Sequence, residues 1–194
     1  PEFAFLPRKF KIAISGTRED RAVTWFHDIG LHLQQQDGET GFRVIVGGGL
    51  GRTPIRGQIV REFLPWQHIL TYSEAILRVY NRFGRRDNAY KARIKILVQA
   101  LGVEEFARQV EEEWAHIKDG PATLTQAEYD RVAAHFSAPA YEKADEVEPP
   151  AEKAFAKWVD RNTHPHKRAG YAAVTLSLKP HGIAPGDITS DQMD

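Results

Sequence analysis

Between Leu6 and Gly16 the chain reads LPRKFKIAISG, and two of its residues, Lys9 and Lys11, stand two positions apart. In an extended strand alternate side chains share a face, so Lys9 and Lys11 project together while Arg8, Phe10 and Ile12 project to the other side. Two ammonium groups about 7 Å apart along a strand lower the cost of bringing an anion to that face. A strand that places lysine at two inward positions has something negative to hold, unless the face is simply solvated.

A second stretch with chemical potential is Gly47-Gly48-Gly49-Leu50-Gly51-Arg52-Thr53-Pro54. Four glycines in five positions allow the backbone to approach a ligand closely and to turn its N–H groups toward it. The spacing excludes a dinucleotide fingerprint, because Pro54 stands where the third small residue belongs, and no lysine follows a GxxxxG as a P-loop requires. Arg52 and Arg56 beside the loop favour a carboxylate or phosphate ligand. A glycine turn that only lets two strands pack tightly would show the same residues.

The third stretch is basic. From Arg78 to Lys95 seven cations (Arg78, Arg82, Arg85, Arg86, Lys91, Arg93 and Lys95) face one acid, Asp87. Such a helix surface is either a solvated face or a binding site for anions, nucleic acid included. The nucleic-acid version lacks the aromatic interleaving that single-strand binders use.

The elements that must carry these residues follow from periodicity and turn chemistry. Lys9 to Ser15 reads as a strand closed by Gly16-Thr-Arg-Glu-Asp20, and Arg21 to His27 as a short helical turn. Asp28 to Gln36 alternates Ile29, Leu31 and Leu33 against Gly30, His32 and Gln34, which fits a strand with one buried face. Turn residues Asp37 to Gly41 then lead to a returning strand through Phe42, Val44 and Val46, so these two strands form an antiparallel hairpin. The middle third reads as helical: Arg61 to Leu64 before Pro65, then Trp66 to Phe83, Tyr90 to Leu101, Val103 to Ile117, and Thr125 to Phe136 with a capping-box spacing of Thr125 and Glu128. Residues 137–153 shift to proline, alanine and acid and read as a linker. A further segment, 154–194, holds Phe155, Trp158 and an alternating strand from Tyr171 to Leu178. The fold class implied is α+β, a mixed or antiparallel sheet covered by helices, in a first domain over residues 1–136.

Composition sets the outer bounds. The apolar and charged fractions, 42% and 27%, are those of an ordinary globular protein. A net charge of zero gives no global attraction to nucleic acid or to an anionic membrane. No apolar run is long enough for a membrane span, so a cytoplasmic setting is the default expectation. The chain has no cysteine, which excludes disulfides, thiolate metal sites and cysteine nucleophiles within it. It starts at Pro1 without an initiator methionine and reads as a piece of something longer.

Taken together, Leu6-Pro-Arg-Lys-Phe-Lys-Ile12, Asp28-Ile-Gly-Leu31, Gly41-Phe-Arg-Val-Ile-Val-Gly-Gly-Gly-Leu-Gly-Arg-Thr-Pro54, Ala75-Ile-Leu-Arg-Val-Tyr-Asn-Arg82, Gly84-Arg-Arg-Asp87 and Lys91-Ala-Arg-Ile-Lys95 resemble the assimilatory nitrite/sulfite reductase hemoproteins. Gly170-Tyr171, Ser177-Leu-Lys179 and Pro185-Gly-Asp-Ile-Thr189 look like the start of that family's second ferredoxin-like domain. The resemblance implies six-electron reduction of sulfite to sulfide or of nitrite to ammonia, at a siroheme bridged through cysteine to a 4Fe–4S cluster, with ferredoxin or a flavoprotein as electron donor. It implies that Lys9 and Lys11 bind the oxyanion and assist its protonation, and that Arg8 reaches a siroheme carboxylate. It places Gly47, Gly48, Gly49, Arg52 and Thr53 beside the macrocycle, and Lys91, Arg93 and Lys95 in a basic helix with cofactor contact. It also implies that the cluster cysteines lie C-terminal to this segment and the partnering arginines N-terminal to it. On that reading the 194 residues hold one wall of an active site, retain no cofactor alone and are inactive alone. The alternative is a non-catalytic anion- or nucleic-acid-binding module built on residues 78–95.

Overall fold

The computed structural model describes residues 2–142, 148, 151–179, 181–182 and 184–193. The chain divides into two compact units, Pro1–Ala138 and Pro139–Asp194.

The first unit is built on a four-stranded mixed sheet in the order β1 (Ile12–Ser15), β2 (Ile29–Gln36), β3 (Glu39–Val46) and β4 (Gln58–Pro65). The β1–β2 pairing is parallel, with Ile12 opposite Ile29, and the other two are antiparallel. The β2–β3 turn is tighter than the five residues the sequence suggests. Only Asp37 and Gly38 lie outside the strands, both at positive φ as a type I′ turn requires, and every residue from Ile29 to Gln36 finds a partner on β3.

Four helices follow: α1 (Ile69–Phe83), α2 (Ile94–Leu101), α3 (Val103–Ile117) and α4 (Gln126–Ala133). Thr125 caps α4 by accepting the Glu128 N–H at 3.2 Å. The Glu128 carboxylate turns to Arg131 rather than back to the cap, so the box is half made. Ile29, Leu31, Val44, Val46 and Leu64 face the helices. They meet Tyr72, Ile76 and Val79 of α1, Ile94 and Val98 of α2, and Phe106 and Val110 of α3 in one buried core. The sheet's other face is closed near β1 and β2 by the chain between them, where a 3-10 turn, Thr24–Phe26, lies so close that a Cβ on Gly30 would stand 2.3 Å from the Thr24 carbonyl oxygen.

Two expectations are corrected here. Arg61 to Leu64 is not helical but the second half of β4, an edge strand paired with β3. Register shifts around Val44 put the alternation of β4 out of phase, so Arg61 and Glu62 interrupt what would otherwise read as a strand. Within the basic stretch 78–95 the first helix does end at Phe83, but the second does not start at Tyr90: Ala89–Lys91 forms a 3-10 turn and α2 begins at Ile94, so these cations share no single helix surface.

The second unit has α5 (Lys153–Asn162), a two-stranded antiparallel ribbon of β5 (Thr163–Pro165) and β6 (Ala172–Val174), and a short α6 (Ser190–Met193). None of its described residues is buried. The strand expected over Tyr171–Leu178 is confined to Ala172–Val174. The expected linker includes residues 143–147, 149 and 150, which lie outside the described residues.

Candidate functional site

The lysine-bearing stretch leads into β1 rather than lying within it. Lys9 and Lys11 are exposed, and Phe10 between them is half-buried against the core. The hydrogen-bonded ladder nevertheless reaches Lys11, whose carbonyl accepts the Ile29 N–H at 3.1 Å. Beyond it Ala13 and Ser15 turn into the protein while Ile12 and Ile14, which sit opposite Ile29 and Leu31, extend past the helices and stay exposed. The lysines are thus solvent-facing, not inward.

What fixes this stretch is a residue that the sequence reading treated as no more than the start of a strand. Asp28 is fully buried, and its carboxylate makes three hydrogen bonds. Oδ2 accepts the Lys11 N–H at 3.0 Å and Arg93 Nη2 at 2.5 Å, and Oδ1 accepts Arg93 Nε at 2.8 Å. Its backbone carbonyl accepts the Gly47 N–H at 3.0 Å. A buried carboxylate persists only where charge and donors compensate it, and the Arg93 fork supplies both. The same contact holds the Arg93 pKa above its ordinary value. Asp28 therefore joins three of the sequence-predicted segments: the lysine stretch, the glycine loop and the start of α2.

The loop glycines answer first to the protein itself. A Cβ on Gly48 would lie 2.3 Å from the Trp25 carbonyl oxygen, and Gly47 is at φ +82° with Val98 beside it. Gly49 pairs with Ile55 through two backbone hydrogen bonds, closing the loop whose tip, Leu50 to Pro54, is exposed. Lys95 lies along Gly49 and donates from Nζ to the Thr53 carbonyl at 2.6 Å, bracing that tip. Arg56 stacks on Trp25 with its guanidinium carbon 3.9 Å from the ring centroid.

Between these segments lies a cleft of about 290 Å³ lined by Lys11, Phe26, His27, Leu50, Gly51 and Arg93. Of the expected site residues it brings together Lys11 and Arg93 at the loop tip. Arg8 is turned elsewhere: its guanidinium donates to the Ala89 carbonyl and lies over the Tyr90 ring. Lys9, Lys91, Arg52 and Thr53 do not line the cleft. Phe26, His27 and Asp28 escaped the sequence reading. The signal available for Asp28 was a lone acid one residue ahead of a strand whose first three residues are buried.

The remaining basic residues are mostly engaged. Arg78 pairs with Glu113 at 2.9 Å and Glu74 at 2.8 Å, and Arg82 reaches Glu113 at 3.3 Å. Arg85 pairs with Asp87, and Arg86 donates to the carbonyls of Phe5 and Asn81. The charge surplus in the sequence is largely absorbed by α3 and by the N-terminal segment.

Residues 1–118 match the family described as the nitrite and sulphite reductase 4Fe–4S domain. The chain belongs to that family. It is 34% identical over 125 residues to sulfite reductase (ferredoxin) 1 of Mycolicibacterium paratuberculosis, covering 63% of this chain and 22% of the relative. Over 113 residues it is 37% identical to the ferredoxin–nitrite reductase of Synechococcus elongatus, covering 57% and 22%. Over 115 residues it is 37% identical to the sulfite reductase (NADPH) hemoprotein beta-component of Chromohalobacter salexigens, covering 55% and 20%. Among solved structures, the Mycobacterium tuberculosis NirA protein superposes with a TM-score of 0.55 at 31% identity, over 62% of this chain and 22% of that one. The chain spans about a fifth of the length of the curated relatives it matches.

The family description names an iron–sulfur cluster, and the donor set of this chain does not fit one. There is no cysteine in its 194 residues, and no grouping of three His, Cys, Asp or Glu able to hold a metal occurs among the described residues. No described helix is long and apolar enough to cross a membrane.

Proposed function

We propose that this chain forms the oxyanion-facing wall of a siroheme-dependent sulfite or nitrite reductase, with residues 1–136 as a reductase domain and 154–194 as the start of a second ferredoxin-like domain. The iron ligands come from outside these residues. The observation that carries the reading is Lys11, which lines the cleft and has no acidic salt-bridge partner among the described residues, beside an arginine already neutralised by Asp28.

Siroheme and its cluster, when bound, supply the electrons. What this chain supplies is charge and protons. The Lys11 ammonium offsets the negative charge of a sulfite or nitrite oxygen and can hand it a proton as that oxygen leaves. Lys9 stands two residues away as a second exposed ammonium. Arg52 and Lys91, exposed and without salt bridges among the described residues, are the cations left to meet siroheme carboxylates. Arg8, Arg93 and Lys95 hold the wall in shape, and Gly47, Gly48 and Gly49 let the loop pack closely against Val98, Trp25 and Lys95.

The test is a titration of the 194-residue chain with sodium sulfite and sodium nitrite, followed by amide and lysine side-chain NMR. Saturable shifts at Lys11, Leu50 and Gly51, abolished by Lys11→Met, are expected; shifts that persist in that variant, or none at all, overturn the reading. Siroheme added to the same chain is expected to give no tight stoichiometric complex, and such a complex would refute the placement of the iron ligands elsewhere.

A further inference from the structure

The buried acid beside the cleft has a more particular task than filling the core. Asp28 and the residue after it hold the Lys11 peptide from both sides, the Asp28 carboxylate accepting its N–H at 3.0 Å and the Ile29 N–H donating to its carbonyl at 3.1 Å. The same carboxylate occupies the Arg93 fork with two bonds, and the Asp28 carbonyl anchors the glycine loop at Gly47. Two cleft-lining residues, Lys11 and Arg93, and the base of the loop that bears Leu50 and Gly51 are therefore referenced to one residue with no exposed surface.

We infer that Asp28 is the positioning residue of this cleft, fixing the backbone from which Lys11 reaches and withdrawing Arg93 from anion binding. The inference rests on the proposed oxyanion reading and adds to it. Of the two cations lining the cleft, Arg93 is cancelled by a carboxylate in contact with it, and Lys11 is left as the one whose charge is open to a ligand. Asp28 touches no ligand itself; it acts through Lys11 and Arg93.

Two double variants separate position from charge, because each removes one positive and one negative group and leaves the net charge of the cleft unchanged. Asp28→Leu/Arg93→Met replaces the ion pair by apolar groups of similar size, a change that buried pairs tolerate, but it deletes the acceptor of the Lys11 N–H. Asp28→Asn/Arg93→Gln keeps an acceptor there. The readouts are nitrite affinity, measured at the Leu50 and Gly51 amides, and hydrogen exchange at the Lys11 amide relative to that of Val44 in the core. The leucine/methionine variant is expected to lower nitrite affinity at least about 5-fold and to speed Lys11 exchange at least about 10-fold with Val44 unchanged, and the asparagine/glutamine variant to restore most of both. Wild-type affinity in the leucine/methionine variant overturns the inference, as does equal loss in both. If the unmodified chain binds neither nitrite nor sulfite, the oxyanion reading fails; the exchange comparison then decides alone whether Asp28 holds Lys11, and unchanged Lys11 exchange overturns that as well.

Discussion

Gly48 faces the carbonyl oxygen of Trp25 so closely that a Cβ would stand 2.3 Å from it, with the His27 carbonyl oxygen at 2.7 Å on the same side. Both obstacles are backbone, which cannot swing aside as a side-chain tip can. Gly48→Ala is expected to cost about 1–3 kcal/mol in a urea melt, the range for forcing extra volume into a packed site. Gly51 supplies the contrast: nothing lies within 4 Å of its Cβ position, but its φ is +110°. Gly51→Ala then incurs backbone strain alone, about 1 kcal/mol. Equal losses in the two variants would show that the loop shifts to relieve the Gly48 contact.

The Asp28–Arg93 pair makes a stability prediction that does not depend on any ligand. Arg93→Met strands a carboxylate that has no exposed surface, and breaking a buried pair from one side costs about 3–5 kcal/mol. Adding Asp28→Leu removes the stranded charge and is expected to recover most of that loss. Chemical denaturation of the two single variants and the double closes the cycle; a double variant as unstable as Arg93→Met would mean that the apolar pair does not fit.

Glu113 links stability to pH. Its hydrogen bond from Arg78, assisted by Arg82, holds its pKa below the ordinary value of 4.5. A carboxylate whose folded pKa is depressed contributes stability above its unfolded pKa and loses it as pH falls through the folded value. Glu113→Gln is expected to be less stable than the wild type by about 1–3 kcal/mol at pH 7, and the gap to shrink steadily below pH 4.5. A gap that stays constant to pH 3 would show that packing, not charge, is what the glutamate provides.

The basic stretch 78–95 predicts weak interest in nucleic acid. Arg78 and Arg82 are paired with Glu113, Arg85 with Asp87, and Arg86 with backbone carbonyls. A fluorescent single-stranded oligonucleotide is expected to show no polarisation change at physiological salt. Binding that weakens steeply between about 50 mM and 200 mM salt would restore the nucleic-acid alternative.

Much of the architecture is legible because its signals are local. The hairpin of β2 and β3 is written in Ile29, Leu31, Val44 and Val46 around Asp37-Gly38, and α1 and α3 in their three- and four-residue apolar spacing. Strand β4 is hidden because its pairing slips near Val44, so that Arg61 and Glu62 fall where alternation would place one apolar residue. The cleft is legible only as unconnected stretches. Lysines two apart and clustered glycines are visible in a sequence, but nothing local says that Asp28 meets Arg93 across 65 positions. Composition misleads in one respect: the cations from Arg78 onward stand together in the sequence, whereas Glu113, which meets both Arg78 and Arg82, lies on α3 and more than 30 positions away.

The way the lysine stretch is held has a consequence for the order in which the chain folds. Strands β2, β3 and β4 can zip along a two-residue turn and the loop of residues 47–57, whereas the segment ahead of β1 is fastened from far along the chain. Arg86 holds Phe5 and Ala89 holds Arg8 across 81 positions each, and Tyr80 reaches the Arg8 carbonyl across 72. Long closures are entropically costly and come late. In refolding followed by pulsed hydrogen exchange, the Val44 amide is expected to be protected before that of Lys11, so the segment bearing Lys9 and Lys11 docks onto a sheet and helices already assembled.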